Sequence, residues 1–213
     1  MKLRIAGTYI GAGLVALALC AQGLAEDKPA AGEPKKAAGG TAPDMQEMMK
    51  RMQGYATPSA GHKVLEPLEG EWNVEARMWM AGPDGAASAS KGTAKAQWIL
   101  GGRYLKEEFS GEMMQQPFQG IGTTGYDNFK KKYVTTWIDS MGTGIFTCEG
   151  TADESGKTLT FLGKMDDPST GEKDKPTKCI IRILGRDKHT FEMHDLSLGD
   201  KSKVFESTYT RKQ

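Results

Sequence analysis

The chain has 213 residues, a formal net charge of +1 and 27 glycines. This length suggests one domain or two small ones, and the near-neutral charge lacks the basic stripe typical of nucleic-acid binding, so we expect no nucleic-acid partner. The glycines follow no collagen-like period, which indicates many turns.

The N-terminus has the pattern of a secretory signal peptide. A short basic region, MKLR, precedes the apolar stretch IAGTYIGAGLVALALC, and small residues follow at Gly23 and Ala25. This order predicts a signal peptide over residues 1–25 and a secreted, periplasmic protein with no stable membrane span after cleavage. Cys20 ends the apolar stretch, but Leu19 before it is not small, so a lipid anchor through Cys20 is the less favoured alternative.

Two short segments follow the predicted cleavage site. Residues 26–43 are rich in Ala, Pro, Gly and Lys and contain no aromatic residue, which predicts a disordered linker. Residues 44–56 predict an amphipathic helix whose methionine face packs on the following domain. The four methionines recur at i, i+3, i+4 and i+7: Met45, Met48, Met49 and Met52.

From Trp72 onward the sequence consists of short alternating segments separated by turn residues. We count about ten such segments, with no helical stretch between them that a parallel βαβ unit would need. Residues 57–213 are therefore predicted to form an all-β domain, an antiparallel up-and-down β-barrel of about ten strands. A barrel of this strand count holds either a packed core or one small ligand.

Two cysteines are left after the predicted cleavage, Cys148 and Cys179. The predicted strands place one other strand between them. This separates them by roughly 9.5 Å, beyond the ~7 Å over which two Cα atoms can be bridged. A disulfide between them is therefore the less favoured alternative.

Several segments closely resemble a bacterial family known as domain-of-unknown-function family 1579: LEGEW, WILGGRYLKEEFSGEM, GYDNFKKKYVTTWIDSMGTGI and HTFEMHDL. The resemblance covers residue 58 to the C-terminus and implies a lipocalin-like, calycin-type barrel, but it implies no reaction. Calycins commonly pack a Trp of the first strand against an Arg of the last strand. Trp72 and Arg211 occupy these places, so we expect them to close one end of the barrel.

The segment WIDSMGTG raises the question of a site at Asp139 and Ser140. Neighbouring strand residues point to opposite faces, so the two side chains are unsuited to one catalytic site, and we assign no catalytic residue. Asp139 either caps the turn through backbone N–H groups or lines the mouth of the barrel.

Other titratable residues give weaker signals. Glu107 and Glu108 face opposite ways on a strand, which disfavours a glycosidase pair. His189 and His194 also face opposite ways, which disfavours a metal pair, and we expect no metal and no resident cofactor. Some ten-stranded lipocalin-like barrels bind haem through a single His, so the resemblance leaves His194 as an alternative haem ligand.

The leading hypothesis is a barrel that binds a small, mostly apolar ligand without catalysis. Its mouth is predicted to be lined by four residues: Arg103, Tyr126, Trp137 and Asp139. The alternatives are an enzyme that uses Asp139 as an acid or base, a haem-binding barrel, and a filled barrel that acts as a structural or interaction module. The sequence says nothing of the oligomeric state.

Overall fold

The structure is a computed structural model that describes residues 44–80, 82, 84–200 and 202–213. The predicted signal peptide (1–25) and linker (26–43) lie outside the described residues. Within the described ranges, no helix is long and apolar enough to cross a membrane.

Ten antiparallel strands form a closed barrel. Each strand pairs with its neighbours in sequence, and the first strand pairs with the last, so every strand has two partners. This confirms the predicted up-and-down barrel. The strands are β1 Gly70–Met78, β2 Ser88–Ile99, β3 Tyr104–Met113, β4 Gln116–Asp127, β5 Lys132–Asp139, β6 Phe146–Ala152, β7 Thr158–Asp167, β8 Glu172–Gly185, β9 Lys188–Asp195 and β10 Lys203–Arg211.

Short turns stabilised by aspartates keep the strands in consecutive order. In the turn between β4 and β5, the carboxylate of Asp127 accepts hydrogen bonds from the backbone N–H groups of Phe129 (2.8 Å) and Lys130 (3.0 Å). Asp153 and Asp167 accept backbone hydrogen bonds in the turns after β6 and β7. Such side-chain bonds to the following backbone favour a tight reversal of the chain.

Helix α1 (Met45–Ala56) precedes the barrel, as predicted, but none of its residues is buried. Asn128, in the turn between β4 and β5, donates hydrogen bonds to the carbonyls of Tyr55 (3.0 Å) and Thr57 (2.7 Å). The predicted packing of the methionine face on the domain is wrong, because the hydrogen bonds hold only the C-terminal end of α1. The four methionines are exposed: Met45, Met48, Met49 and Met52.

The chain before β1 closes one end of the barrel. Helix α2 (Ala60–Lys63) and a 3-10 turn (Glu66–Leu68) lie here, and Leu65 and Leu68 belong to the main apolar core. We call residues 59–69 the lid. The inward-facing side chains beneath it are buried: Trp72, Leu105, Tyr133, Leu159 and Ile183.

The predicted contact between Trp72 and Arg211 is present at the lidded end. The guanidinium carbon of Arg211 lies 4.2 Å from the centroid of the Trp72 ring. Arg211 also donates hydrogen bonds to the lid carbonyls of Glu69 (2.8 Å) and Pro67 (3.0 Å). The indole N–H of Trp72 donates to the carbonyl of Leu68 at 3.1 Å. Together these contacts fasten the lid to the first and last strands.

The opposite end of the barrel is more open. Inward-facing side chains near this end keep part of their accessible surface: Met78, Phe109, Trp137, Phe146, Met165, Met193 and Phe205. Because these side chains point into the barrel, solvent reaches the interior from this end. We call this accessible interior the lumen.

Cys148 on β6 and Cys179 on β8 are buried free thiols, with β7 between them. Gly163 on β7 is the pairing partner of Cys148. A side chain at Gly163 would overlap the Cys148 sulfur, so the glycine leaves the space that this thiol occupies.

Candidate functional site

Two aromatic side chains lie flat against glycines on the inner wall of the barrel. A side chain at Gly120 would overlap the Trp137 ring, and a Cβ at Gly122 would lie 3.0 Å from its Cε3 atom. The indole therefore extends across Gly120 and Gly122 of β4. Phe109 covers Gly92 of β2 in the same way. The glycines let these rings line the wall, where their other faces are directed toward the lumen.

A third ring completes this surface. Phe118 on β4 packs edge-to-face against Phe109, with 5.7 Å between the ring centroids. We call Phe109, Phe118 and Trp137 the aromatic wall. Such rings supply a large apolar area for a ligand.

Asp139 orients Trp137. Its Oδ2 atom accepts a hydrogen bond from the indole N–H of Trp137 at 3.0 Å, and its Oδ1 atom accepts one from the backbone N–H of Met141 at 2.9 Å. The same carboxylate thus caps the turn after β5 and fixes the aromatic wall near the open end. Capping the turn and lining the mouth of the barrel, the two alternatives for Asp139, are therefore compatible.

Glu107 lies one row deeper in the lumen than Asp139. Gly122 pairs with Glu107 on one side and with Trp137 on the other, so the three residues form one row across β3, β4 and β5. Oε1 of Glu107 accepts a hydrogen bond from the hydroxyl of Tyr209 at 3.0 Å. Burial raises the pKa of Glu107 to about 7, an effect that the hydrogen bond from Tyr209 only partly offsets.

The second carboxylate oxygen of Glu107 is left without a partner in the described part of the chain. Oε2 has no hydrogen-bond partner among the described residues. Glu107 nevertheless keeps accessible surface, and Oε2 is not among the fully enclosed polar atoms without a partner. This oxygen is therefore not fully enclosed, and Glu107 lies on the inward face of β3.

Three further polar side chains surround this carboxyl group. Tyr209 stacks on His189 with 4.2 Å between ring centroids, and Ser207 faces inward two residues before Tyr209. Burial, with a smaller effect from Arg211, lowers the pKa of His189 to about 3, so its imidazole is neutral. Burial also raises the pKa of Tyr209, helped by the nearby charge of Glu107. We call Glu107, His189, Ser207 and Tyr209 the polar floor.

The polar floor contains hydrogen-bonding groups that lack partners. Nδ1 of His189 and Oγ of Ser207 are buried without a hydrogen bond to any described residue, although Ser207 lies close enough to Tyr209 to lower its pKa slightly. Buried polar atoms without hydrogen-bond partners are rare in proteins, and a core packed only with apolar side chains would not contain them.

Small residues make room for the polar floor. Strands β1 and β2 separate Tyr209 from Glu107, and Ala94 and Ala96 of β2 are buried in the interior. Their short side chains leave the space across which the Tyr209 hydroxyl reaches Glu107.

A cluster of ion pairs lies on the far side of the open end. The ammonium of Lys175 contacts carboxylate oxygens of Asp195 (2.7 Å), Glu172 (3.2 Å) and Asp167 (3.3 Å). The hydrogen bond to Asp195 raises the pKa of Lys175, and hydrogen bonds led by that from Ser169 lower the pKa of Asp167 to about 2. Lys175 thus forms ion pairs with three carboxylates.

The four residues predicted to line the mouth do not form one pocket. Trp137 and Asp139 contact each other near the open end. Tyr126 lies at the lidded end, where its ring centroid is 5.9 Å from that of His62. Arg103 lies at the same end and donates a hydrogen bond to the carbonyl of Leu100 at 2.9 Å. The reason is topological, because β4 ends and β3 begins at the lid whereas β5 ends at the open mouth.

His194 is unsuited to the haem-ligand alternative. Its Nδ1 atom is 3.1 Å from the hydroxyl of Ser202 and its Nε2 atom is 3.5 Å from the carboxylate of Glu192. Both nitrogens are engaged on the outer face of β9, and the inward-facing histidine of this strand is His189. Over the ranges that the structure describes, no group of three or more His, Cys, Asp or Glu is arranged to hold a metal ion.

The structure also identifies residues that the sequence interpretation missed. The polar floor was not predicted, although Glu107 alternates with Leu105 and Phe109 on an inward face. The sequence signal for Glu107 was a carboxylate that lies between two apolar residues on the same face of a strand.

Two solved structures are similar to the chain at low sequence identity. The crystal structure of Rv2717c from M. tuberculosis matches with a TM-score of 0.53 and 11% identity, covering 74% of this chain and 100% of that one. The S-type phycobiliprotein lyase CPES from Guillardia theta gives a TM-score of 0.48 and 10% identity, covering 80% of this chain and 99% of that one.

No curated protein matches the chain. A family model does match, over residues 57–211, which is most of the chain and includes all ten strands. Its description is "Protein of unknown function (DUF1579)". The chain therefore belongs to the DUF1579 family.

Proposed function

We propose that this barrel binds a small, mostly apolar ligand in its lumen. The observation that carries the proposal is a polar floor with unpartnered atoms lying beside an aromatic wall, inside a barrel that is open at one end. Ligand sites commonly combine apolar walls with a few converging polar groups in this way.

The energetics favour a bound ligand over an empty interior. Each buried polar group without a hydrogen bond costs about 1–3 kcal/mol, and Nδ1 of His189 and Oγ of Ser207 are both in this state. A ligand whose polar end reaches the floor recovers part of this cost. Its apolar body gains about 25 cal/mol for each Å² of apolar surface that it buries against the wall.

Two neighbouring threonines provide a matched test. Thr135 faces the lumen between Tyr133 and Trp137 and bonds Thr124 at 3.0 Å, whereas Thr136 faces outward and bonds Thr123 at 2.7 Å. Thr135→Phe fills the lumen. Thr136→Phe adds the same volume outside and removes an equivalent hydrogen bond.

The assay is a titration with N-phenyl-1-naphthylamine, a neutral apolar probe whose fluorescence rises on binding. We expect binding to the unmodified protein and to Thr136→Phe, and a loss of at least about tenfold in affinity in Thr135→Phe. Circular dichroism establishes that both variants are folded. Equal binding by the two variants would place the probe outside the lumen and contradict the proposal.

We also propose export to the periplasm. The support is the N-terminal order of a basic region, an apolar stretch and small residues at Gly23 and Ala25. The intact mass of the protein purified from the periplasmic fraction of its host should lack residues 1–25. Recovery of the full-length mass from the cytoplasm would refute export.

A further inference from the structure

The lumen contains more acidic than basic groups. Glu107 and Asp139 both face it, and neither pairs with a Lys or Arg among the residues that the structure describes. Near the open end, Lys175 is outnumbered by the three carboxylates around it. The interior therefore favours a positive charge on whatever enters it.

Arg211 is the inward cation at the other end, and it is committed to the lid. It covers the ring of Trp72, donates to the carbonyls of Glu69 and Pro67, and pairs with Asp187 at 3.4 Å. Its charge and its donors are thus engaged at the closed end. Glu107 is left without an opposite charge of its own.

We propose that the ligand is a cationic amphiphile, an apolar body that carries a protonated amine, bound with the amine at Oε2 of Glu107. This inference rests on the proposed function and specifies the ligand class of the same site. An ammonium group has hydrogen-bond donors only, which suits a carboxylate oxygen.

The aromatic wall supports the same assignment. The face of an indole or phenyl ring attracts a cation. Trp137 lies in the same row as Glu107, with Gly122 of β4 between them. A cation entering from the open end passes the carboxylate of Asp139, then this ring, before it reaches Glu107. An anionic head group meets like charge along the whole path and finds no free cation at the polar floor.

Three probes with one chain length separate charge from apolar contact. Octylamine, octan-1-ol and octanoate compete with N-phenyl-1-naphthylamine for the purified protein at about pH 8. We expect octylamine to bind at least about tenfold more tightly than octanol, because hydrogen bonds to charged groups are the stronger ones, and octanoate to bind most weakly. Octanol measures the binding of the same chain with an uncharged polar end.

Glu107 and its neighbour supply a matched pair of variants. Glu107→Gln should reduce the preference for octylamine over octanol to less than about threefold. Glu108 lies on the outer face and pairs with Lys106 at 2.7 Å, so Glu108→Gln should retain the full preference.

The outcomes distinguish the two proposals. If octanol binds but octylamine binds no better, or if octanoate binds best, the cationic ligand class is wrong and lumen binding stands. If the preference survives Glu107→Gln in folded protein, Glu107 is not the amine's partner and this inference fails. If none of the three probes binds, the proposed function fails as well.

Discussion

Glu107→Gln should change how the stability of the barrel depends on pH. The pKa of Glu107 is about 7 in the folded protein, against 4.5 for an ordinary glutamate. Between these values the folded state binds the proton more tightly than the unfolded state, so ionising Glu107 destabilises the fold as pH rises. The difference corresponds to about 3 kcal/mol, fully expressed above pH ~7 and absent below pH ~4.5.

His189 acts in the opposite direction. Its pKa falls from 6.5 to about 3 on folding, so the unfolded state binds more protons between these values and stability increases with pH. In the unmodified protein, the two effects cancel between about pH 4.5 and 6.5. In Glu107→Gln the opposing effect of Glu107 is absent, so the His189 effect alone should raise stability by about 1.4 kcal/mol per pH unit there, and the lowered pKa of His62 acts in the same direction.

Urea unfolding followed by tryptophan fluorescence, at intervals from about pH 4 to pH 8, measures this effect. The free energy of unfolding of Glu107→Gln relative to the unmodified protein should increase by about 3 kcal/mol across the range. Glu108→Gln controls for the loss of one exposed carboxylate and should give no such increase. A stability difference between Glu107→Gln and the unmodified protein that is independent of pH would refute the burial of Glu107 as an acid near neutrality.

Two other substitutions test the framework of the site. Gly120→Ala should shift the Trp137 emission and cost about 1–3 kcal/mol, because the new methyl group overlaps the indole, whereas Gly144→Ala has no neighbour within 4 Å and should be nearly neutral. Arg211→Gln should lower the free energy of unfolding by about 2–4 kcal/mol through loss of the cation–π contact and the lid hydrogen bonds, with Lys212→Gln as control. Equal effects of target and control in urea unfolding would contradict either prediction.

The strands could be predicted because two local signals agree along the chain. Apolar and polar residues alternate with the period of a strand, and turn residues separate the segments. The start of β8 lacks these signals for a physical reason. The run from Glu172 to Pro176 reads as a polar loop, but its Lys175 points inward and pairs with Asp167 and Asp195 of the neighbouring strands.

The candidate site could be predicted only where its residues are close in sequence. Trp137 and Asp139 share a face at i and i+2, and the structure joins them by a hydrogen bond. The bond between Tyr209 and Glu107 spans 102 positions of sequence, which no local pattern reveals. It depends on the closure of the barrel, which leaves two strands, β1 and β2, between β10 and β3.

The composition of the polar floor argues against a barrel that serves only as a filled structural module. Such a module would be more stable with apolar residues of similar size in place of Glu107, His189 and Ser207, since polar groups are costly inside a protein without partners. Here the interior instead keeps a carboxyl group with a free oxygen, and glycines that hold aromatic rings against the wall. Stability is thus given up at these positions, which a purely structural barrel would not require.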